Sequence, residues 1–173
     1  MIGAVALPKD GHIVDVGGGA STLVDRLVAQ GFTAITVVDI SPAALQAARA
    51  RLGQDADGVS WLVGDARQLS LPEPADLWHD RAVFHFLTTE VDQDAYVSSL
   101  RRALRVGGHA IIATFGPGGP DRCSGLPVQR YDAESLSARL GAGFTRLRVL
   151  QRRHVTPAGA TQEFTYGLFR RTE

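Results

Sequence analysis

Apolar residues follow two rhythms along this chain. Short continuous runs of Val, Ile and Ala alternate with segments whose apolar positions recur every three or four residues. The runs HIVDVG (12–17), AITVVDI (34–40), VSWLVGD (59–65), ADLWHDRA (75–82) and HAIIATF (109–115) predict five strands. Between them, STLVDRLVAQG (21–31) places Leu23, Leu27 and Val28 at helical spacing before a glycine stop. Ser41-Pro42 predicts a helix start, serine as N-cap and proline at the first helical position, with the helix closing at Gly53. DAYVSSLRRALRVGG (94–108) predicts an amphipathic helix with a glycine exit.

Strands that are apolar on both faces and separated by helices imply a parallel sheet covered on both sides. The last third changes rhythm. FGPGGPDRCSGLP (115–127) reads as a loop and AESLSARLG (133–141) as a short helix. FTRLRVLQRR (144–153) and QEFTYGLFRR (162–171) alternate apolar and polar residues around HVTPAGAT, which predicts an antiparallel hairpin. The expected fold class is therefore α/β, a doubly wound, mostly parallel sheet ending in an antiparallel hairpin, within one domain over 1–173.

Composition narrows the setting. Lys plus Arg and Asp plus Glu both number 18, so the chain lacks the basic footprint of a nucleic-acid partner. One cysteine, Cys123, cannot close an internal disulfide, which favours a reducing, cytoplasmic location. No apolar run approaches the roughly 20 residues of a membrane span. The start, MIGAVALPKDG, has no basic n-region and too short an apolar stretch for a secretory signal.

The candidate chemistry sits at strand ends. Val14-Asp15-Val16-Gly17-Gly18-Gly19 joins the first strand to the first helix, where glycines let a ligand approach the backbone and the helix start offers free N–H groups. Asp39 ends the second strand 22 residues after Gly17, where a carboxylate can accept from both hydroxyls of a ribose. Ile40 follows it and suits packing against a base; Ser41 comes next. Gly64-Asp65-Ala66 ends the third strand, and Asp65 can accept from an adenine amino group. These ends converge on the carboxyl edge of the sheet, where open α/β folds bind ligands. A dinucleotide fingerprint wants glycine at the sixth place from Gly17, and that place is Thr22.

DVGGGAS, VVDIS, VGDAR, ADLWHDRAVFHFL and the run from Leu104 to Phe115 together resemble the class I S-adenosylmethionine-dependent methyltransferases. The resemblance covers about residues 12–171. WHDRAVFHFL with RCSGLPVQRY is similar to a group of small bacterial members. The resemblance implies S-adenosyl-L-methionine as cofactor, S-adenosyl-L-homocysteine as product, and in-line methyl transfer to a nucleophile, a small molecule or a protein side chain. It implies that Gly17, Gly18, Gly19, Asp39, Ile40, Ser41, Gly64, Asp65 and Ala66 hold the adenosine. Asp80 and Arg81 would frame the methionyl amino and carboxylate groups, with Asp15 fixing the glycine turn and reaching the methionyl amine through water, so that Asp15, His79, Asp80 and Arg81 all belong to the cofactor site. His79 would point to the opposite side from Asp80 and tie neighbouring strands. His85 would face the acceptor as a candidate base, with Asp80 beside the reaction, while Trp78, Phe84 and Phe86 would form walls. A metal site is not expected, because His79 and Asp80 face opposite ways on a strand.

Members of that group carry a few dozen residues before the first strand, and this chain starts eleven before it, so a short or missing lid is expected. Two alternatives keep the same fold. One is an NAD(P)-binding oxidoreductase, which shares the acid after the second strand. The other is a module that binds cofactor without transferring methyl.

Overall fold

The computed structural model describes residues 1–19, 21–156, 159 and 161–173. Among the described residues nine strands and four helices are laid down, seven of the strands and all four helices in the order the sequence pattern gives. The strands are β1 (Ile13–Val16), β2 (Ile35–Asp39), β3 (Val59–Val63), β4 (Ala75–Arg81), β5 (Leu104–Phe115), β6 (Arg122–Cys123), β7 (Leu126–Pro127), β8 (Phe144–Val155) and β9 (Thr161–Arg171). The helices are α1 (Leu23–Ala29), α2 (Pro42–Leu52), α3 (Glu90–Ala103) and α4 (Ala133–Leu140).

Seven strands form one sheet in the order β3-β2-β1-β4-β5-β9-β8. β1 to β5 pair in parallel, and β9 joins β5 antiparallel before β8 closes the edge. The strand order reverses at β1, so the carboxyl ends of β1 and β4 diverge into helices on opposite faces and leave a crevice between them. Two apolar layers flank the sheet. Val14, Val16, Trp78, Ile112 and Phe169 pack under α3 and α4 on one face. Ile13, Val37, Leu77, Ile111 and Leu168 pack under α1 and α2 on the other.

Local chemistry sets the element boundaries. Ser41 Oγ accepts from the Ala44 N–H at 3.3 Å and Pro42 opens α2, as the sequence predicts. α3 starts four residues earlier than the pattern suggests, because Thr89 caps it by accepting from the Asp92 N–H at 3.2 Å. It also ends earlier: Leu104 to Gly108 belong to β5, which pulls them into the sheet through the pairing of Ala75 with Leu104. α4 carries a reciprocal cap between Asp132 and Ser135. The glycine- and proline-rich segment after β5 contains a small ribbon, β6-β7, turned by Ser124 and Gly125 at φ +50° and +81°. Among the described residues no helix is long and apolar enough to cross a membrane.

Candidate active site

The crevice begins at the glycine turn. Gly17 takes φ +69°, and its N–H donates to the Val38 carbonyl at 2.7 Å, which ties the end of β1 to β2. A side-chain carbon on Gly17 would lie 2.2 Å from Val83, and one on Gly19 would lie 2.7 Å from Ala44 Cβ. Both positions are closed to any larger residue, so the turn presents bare backbone to the crevice.

Asp39 stands beside this turn. Its Oδ2 accepts from the Gly19 N–H at 3.0 Å and its Oδ1 from the Ser41 N–H at 2.9 Å. Each oxygen keeps a lone pair. Ile40 is 72 % exposed, an unusual state for isoleucine, and it lines the same cavity of about 690 Å³ as Asp39, Gly64, Asp65, Ala66 and Phe86. Gly17, Asp39, Ile40, Gly64, Asp65 and Ala66 thus line one cavity, and Gly19 stands beside it through its bond to Asp39. Ser41 serves as helix cap and as donor to Asp39.

Asp65 has a partner that the sequence reading overlooked. Arg67 grips it with its backbone N–H at 2.8 Å and its side chain at 2.5 and 3.0 Å, and reaches on to Asp92 at the start of α3. The guanidinium holds the Asp65 carboxyl below the ordinary carboxylate range. The signal was present in VGDAR, where the arginine stands two residues after the acid.

β4 sorts its side chains by parity. Leu77, His79 and Arg81 face α1; Trp78 and Asp80 face α3. His79 behaves as expected: its Nδ1 meets Asp15 Oδ1 at 2.8 Å and ties β4 to β1. Asp15 is 2 % exposed, and its Oδ2 is buried without a partner among the described residues. A second compartment of about 400 Å³ lies here, lined by Asp15, Gly17, Ser21, His79, Arg81 and Cys123. It adjoins the first, and Val16, Gly17 and Ala82 line both. Ala82 holds φ +69°, a costly state for a residue with a side chain, directly where the two meet. Arg81 is exposed and its guanidinium sits 5.4 Å from the Phe164 ring centroid.

Two expectations are corrected. Asp80 does not face the crevice. It is fully buried, accepting from the Val83 N–H at 2.9 Å, the Phe84 N–H at 3.0 Å and the Tyr96 hydroxyl at 2.6 Å. Burial pushes its carboxyl up to about 6. Its carboxylate shapes the turn after β4 from below instead of framing a ligand. His85 is also fully buried, on a 3-10 turn over Phe84–Phe86 and against the Phe86 and Phe115 rings. Its Nδ1 accepts from the Phe115 N–H at 3.4 Å, and burial lowers its pKa to about 4. A neutral imidazole sealed from solvent is not placed to act as the acceptor's base. Trp78 and Phe84 likewise belong to the core, and only Phe86 forms a wall.

A crevice of this build, at the switch point of a parallel sheet, defines a nucleoside-binding α/β domain. The chain belongs to the methyltransferase domain family, which it matches over residues 13–108. It is 34 % identical over 114 residues to the ubiquinone/menaquinone biosynthesis C-methyltransferase UbiE of Paracoccus denitrificans. That match covers 62 % of this chain, and the chain spans 44 % of that relative. In fold it is similar to an S-adenosylmethionine-dependent methyltransferase from Methanosarcina mazei, with a TM-score of 0.80 over 99 % of this chain and 97 % of that one, at 16 % identity. The N-methyltransferase NodS of Bradyrhizobium japonicum follows the same path, with a TM-score of 0.76 at 20 % identity over 94 % of this chain and 86 % of that one.

Proposed function

We propose that this chain binds S-adenosyl-L-methionine across the two adjoining compartments and transfers its methyl group to a small nucleophile. The observation that carries this reading is the gathering of the glycine turn, Asp39, Ile40 and the Gly64–Ala66 corner around one cavity, beside a second lined by Asp15, His79 and Arg81. The larger compartment suits an adenosine. Asp39 keeps lone pairs for ribose hydroxyls, and Ile40 offers an apolar face for the base. Arg67 holds Asp65, so the Gly64–Ala66 corner meets the base as a rigid wall.

The smaller compartment suits an amino-acid tail. Arg81 supplies a positive charge for a carboxylate, and the orphaned Asp15 Oδ2 supplies an acceptor for an ammonium group or a water held by it. When bound, the cofactor supplies a methyl group already activated on a sulfonium, so the protein has mainly to align and to exclude water. The chain's own part is a pre-shaped crevice whose glycine turn and Asp39 are held by hydrogen bonds within the protein. Cytoplasmic location, a small-molecule acceptor and a single-domain organisation belong to the same proposal.

Calorimetric titration with S-adenosyl-L-homocysteine tests the reading. Saturable one-to-one binding is expected. A folded protein that gives no heat with either the homocysteine or the methionine form removes it.

A further inference from the structure

A third cavity, of about 510 Å³, opens beyond His79 on the α1 face of the sheet, between the chain start, α1 and the outer strands β9 and β8. Its floor is apolar, built from Leu23, Leu27, Ile111 and Leu150, with Tyr166 along one side. Arg26 and Arg152 stand at it from opposite walls, one on α1 and one on β8. Both are exposed, and neither makes an ion pair or side-chain hydrogen bond among the described residues. No acidic side chain lines the cavity among those residues. On the same face Arg51, by contrast, holds Asp25.

His79 lines both this cavity and the compartment assigned above to the amino-acid tail. Its Nδ1 is taken by Asp15, and its Nε2 has no protein partner among the described residues. The two cavities are therefore neighbours through one imidazole edge.

We propose that this third cavity binds a compact organic anion, an apolar body carrying a carboxylate, sulfonate or phosphate that Arg26 and Arg152 grip from the two sides. An apolar floor supplies affinity without direction, and two unpaired guanidiniums supply the charge preference. Resting on the methyl-transfer reading, the occupant is the methyl acceptor, which reaches the crevice past His79.

The test uses the full chain and two probes, naphthalene-2-sulfonate and the uncharged 2-naphthol. Titrations are run with and without S-adenosyl-L-homocysteine, with histidine side-chain NMR as a second readout. Naphthalene-2-sulfonate should bind saturably alongside the homocysteine form and shift the His79 signals. Arg26→Gln with Arg152→Gln should weaken it about tenfold or more, the scale of one lost charge-assisted contact, and leave 2-naphthol unchanged. The affinity for S-adenosyl-L-homocysteine should hold within about twofold, because neither arginine lines the two compartments assigned to the cofactor. Unchanged sulfonate affinity in the double variant, competition with the homocysteine form, or silent His79 signals would each overturn the proposal. If S-adenosyl-L-homocysteine fails to bind at all, the methyl-transfer reading falls while the cofactor-free titration still decides the anion site.

Discussion

The Tyr96 hydroxyl donates to Asp80 Oδ2 at 2.6 Å in a place where neither residue touches solvent. Tyr96 in turn accepts from Trp78 Nε1 at 2.9 Å, so one phenol links the core to the turn beneath the crevice. Burial holds the Asp80 carboxyl up at about 6, above its ordinary 3.8. Between those values the folded state keeps a proton that the unfolded chain has released, so this residue's contribution to stability falls as pH rises through the window. The difference amounts to about 3 kcal/mol at most. The phenol lowers the cost of the ionised form. Tyr96→Phe should therefore destabilise the fold by about 1.5–3 kcal/mol near neutral pH and by less near pH 4.5. Denaturant unfolding at both pH values checks this, and an equal loss at both would show that Tyr96 acts by packing alone.

His85 carries the opposite slope. Burial lowers its pKa from 6.5 to about 4, so between those values the unfolded chain holds a proton that the folded chain excludes. Its contribution to stability falls as pH is lowered through that window. Asp80 gains across much of the same range, so the two effects offset in the native protein. His85→Gln removes the His85 effect and leaves that of Asp80 in place. Relative to wild type, the variant should gain stability as pH drops from about 6.5 toward 4, whatever its loss at neutral pH. Parallel stability curves for the two proteins would refute the assignment.

Asp39 is asked to hold a ribose while also bracing the Gly19 and Ser41 N–H groups. Asp39→Ala should weaken S-adenosyl-L-homocysteine by about 1.5–3 kcal/mol, the value of hydrogen bonds to a charged group. Asp39→Asn keeps one acceptor oxygen for the backbone and should fall between. Calorimetry on both, with thermal unfolding to separate collapse of the turn from loss of ligand contact, checks the order.

What the sequence made legible follows from where the information is local. Strand runs, the Ser41-Pro42 start, the glycine turn and the two strand-end acids are each written within a few residues, and the structure places them as read. Asp80 and His85 were misplaced for one shared reason. Parity along β4 says that His79 and Asp80 face opposite sides, but it does not say which side opens to solvent. That depends on Tyr96, 16 residues later on α3, and on Phe115 at the end of β5, whose N–H reaches His85. The early end of α3 was hidden likewise, because helical periodicity continues through Leu104 while sheet pairing at Ala75 claims the chain first. Arg67 went unremarked although its spacing from Asp65 was plain to see.

The amino-acid-tail compartment gives the sharpest division between ligands. His79 and Arg81 line it, and neither lines the adenosine cavity. S-adenosyl-L-homocysteine carries an amino-acid tail, whereas 5′-methylthioadenosine shares the nucleoside and ends at the sulfur. Arg81→Ala should weaken the first by about tenfold, the scale of one charge-assisted contact in a partly open site, and leave the second within about twofold. His79→Ala should act in the same direction, with an added loss of stability because the buried Asp15 carboxylate is stripped of its partner. Paired titrations of both ligands against each variant decide the matter. Equal weakening of the two ligands would mean that these side chains shape the whole crevice and not its tail end, and the division of the site into two compartments would have to be redrawn.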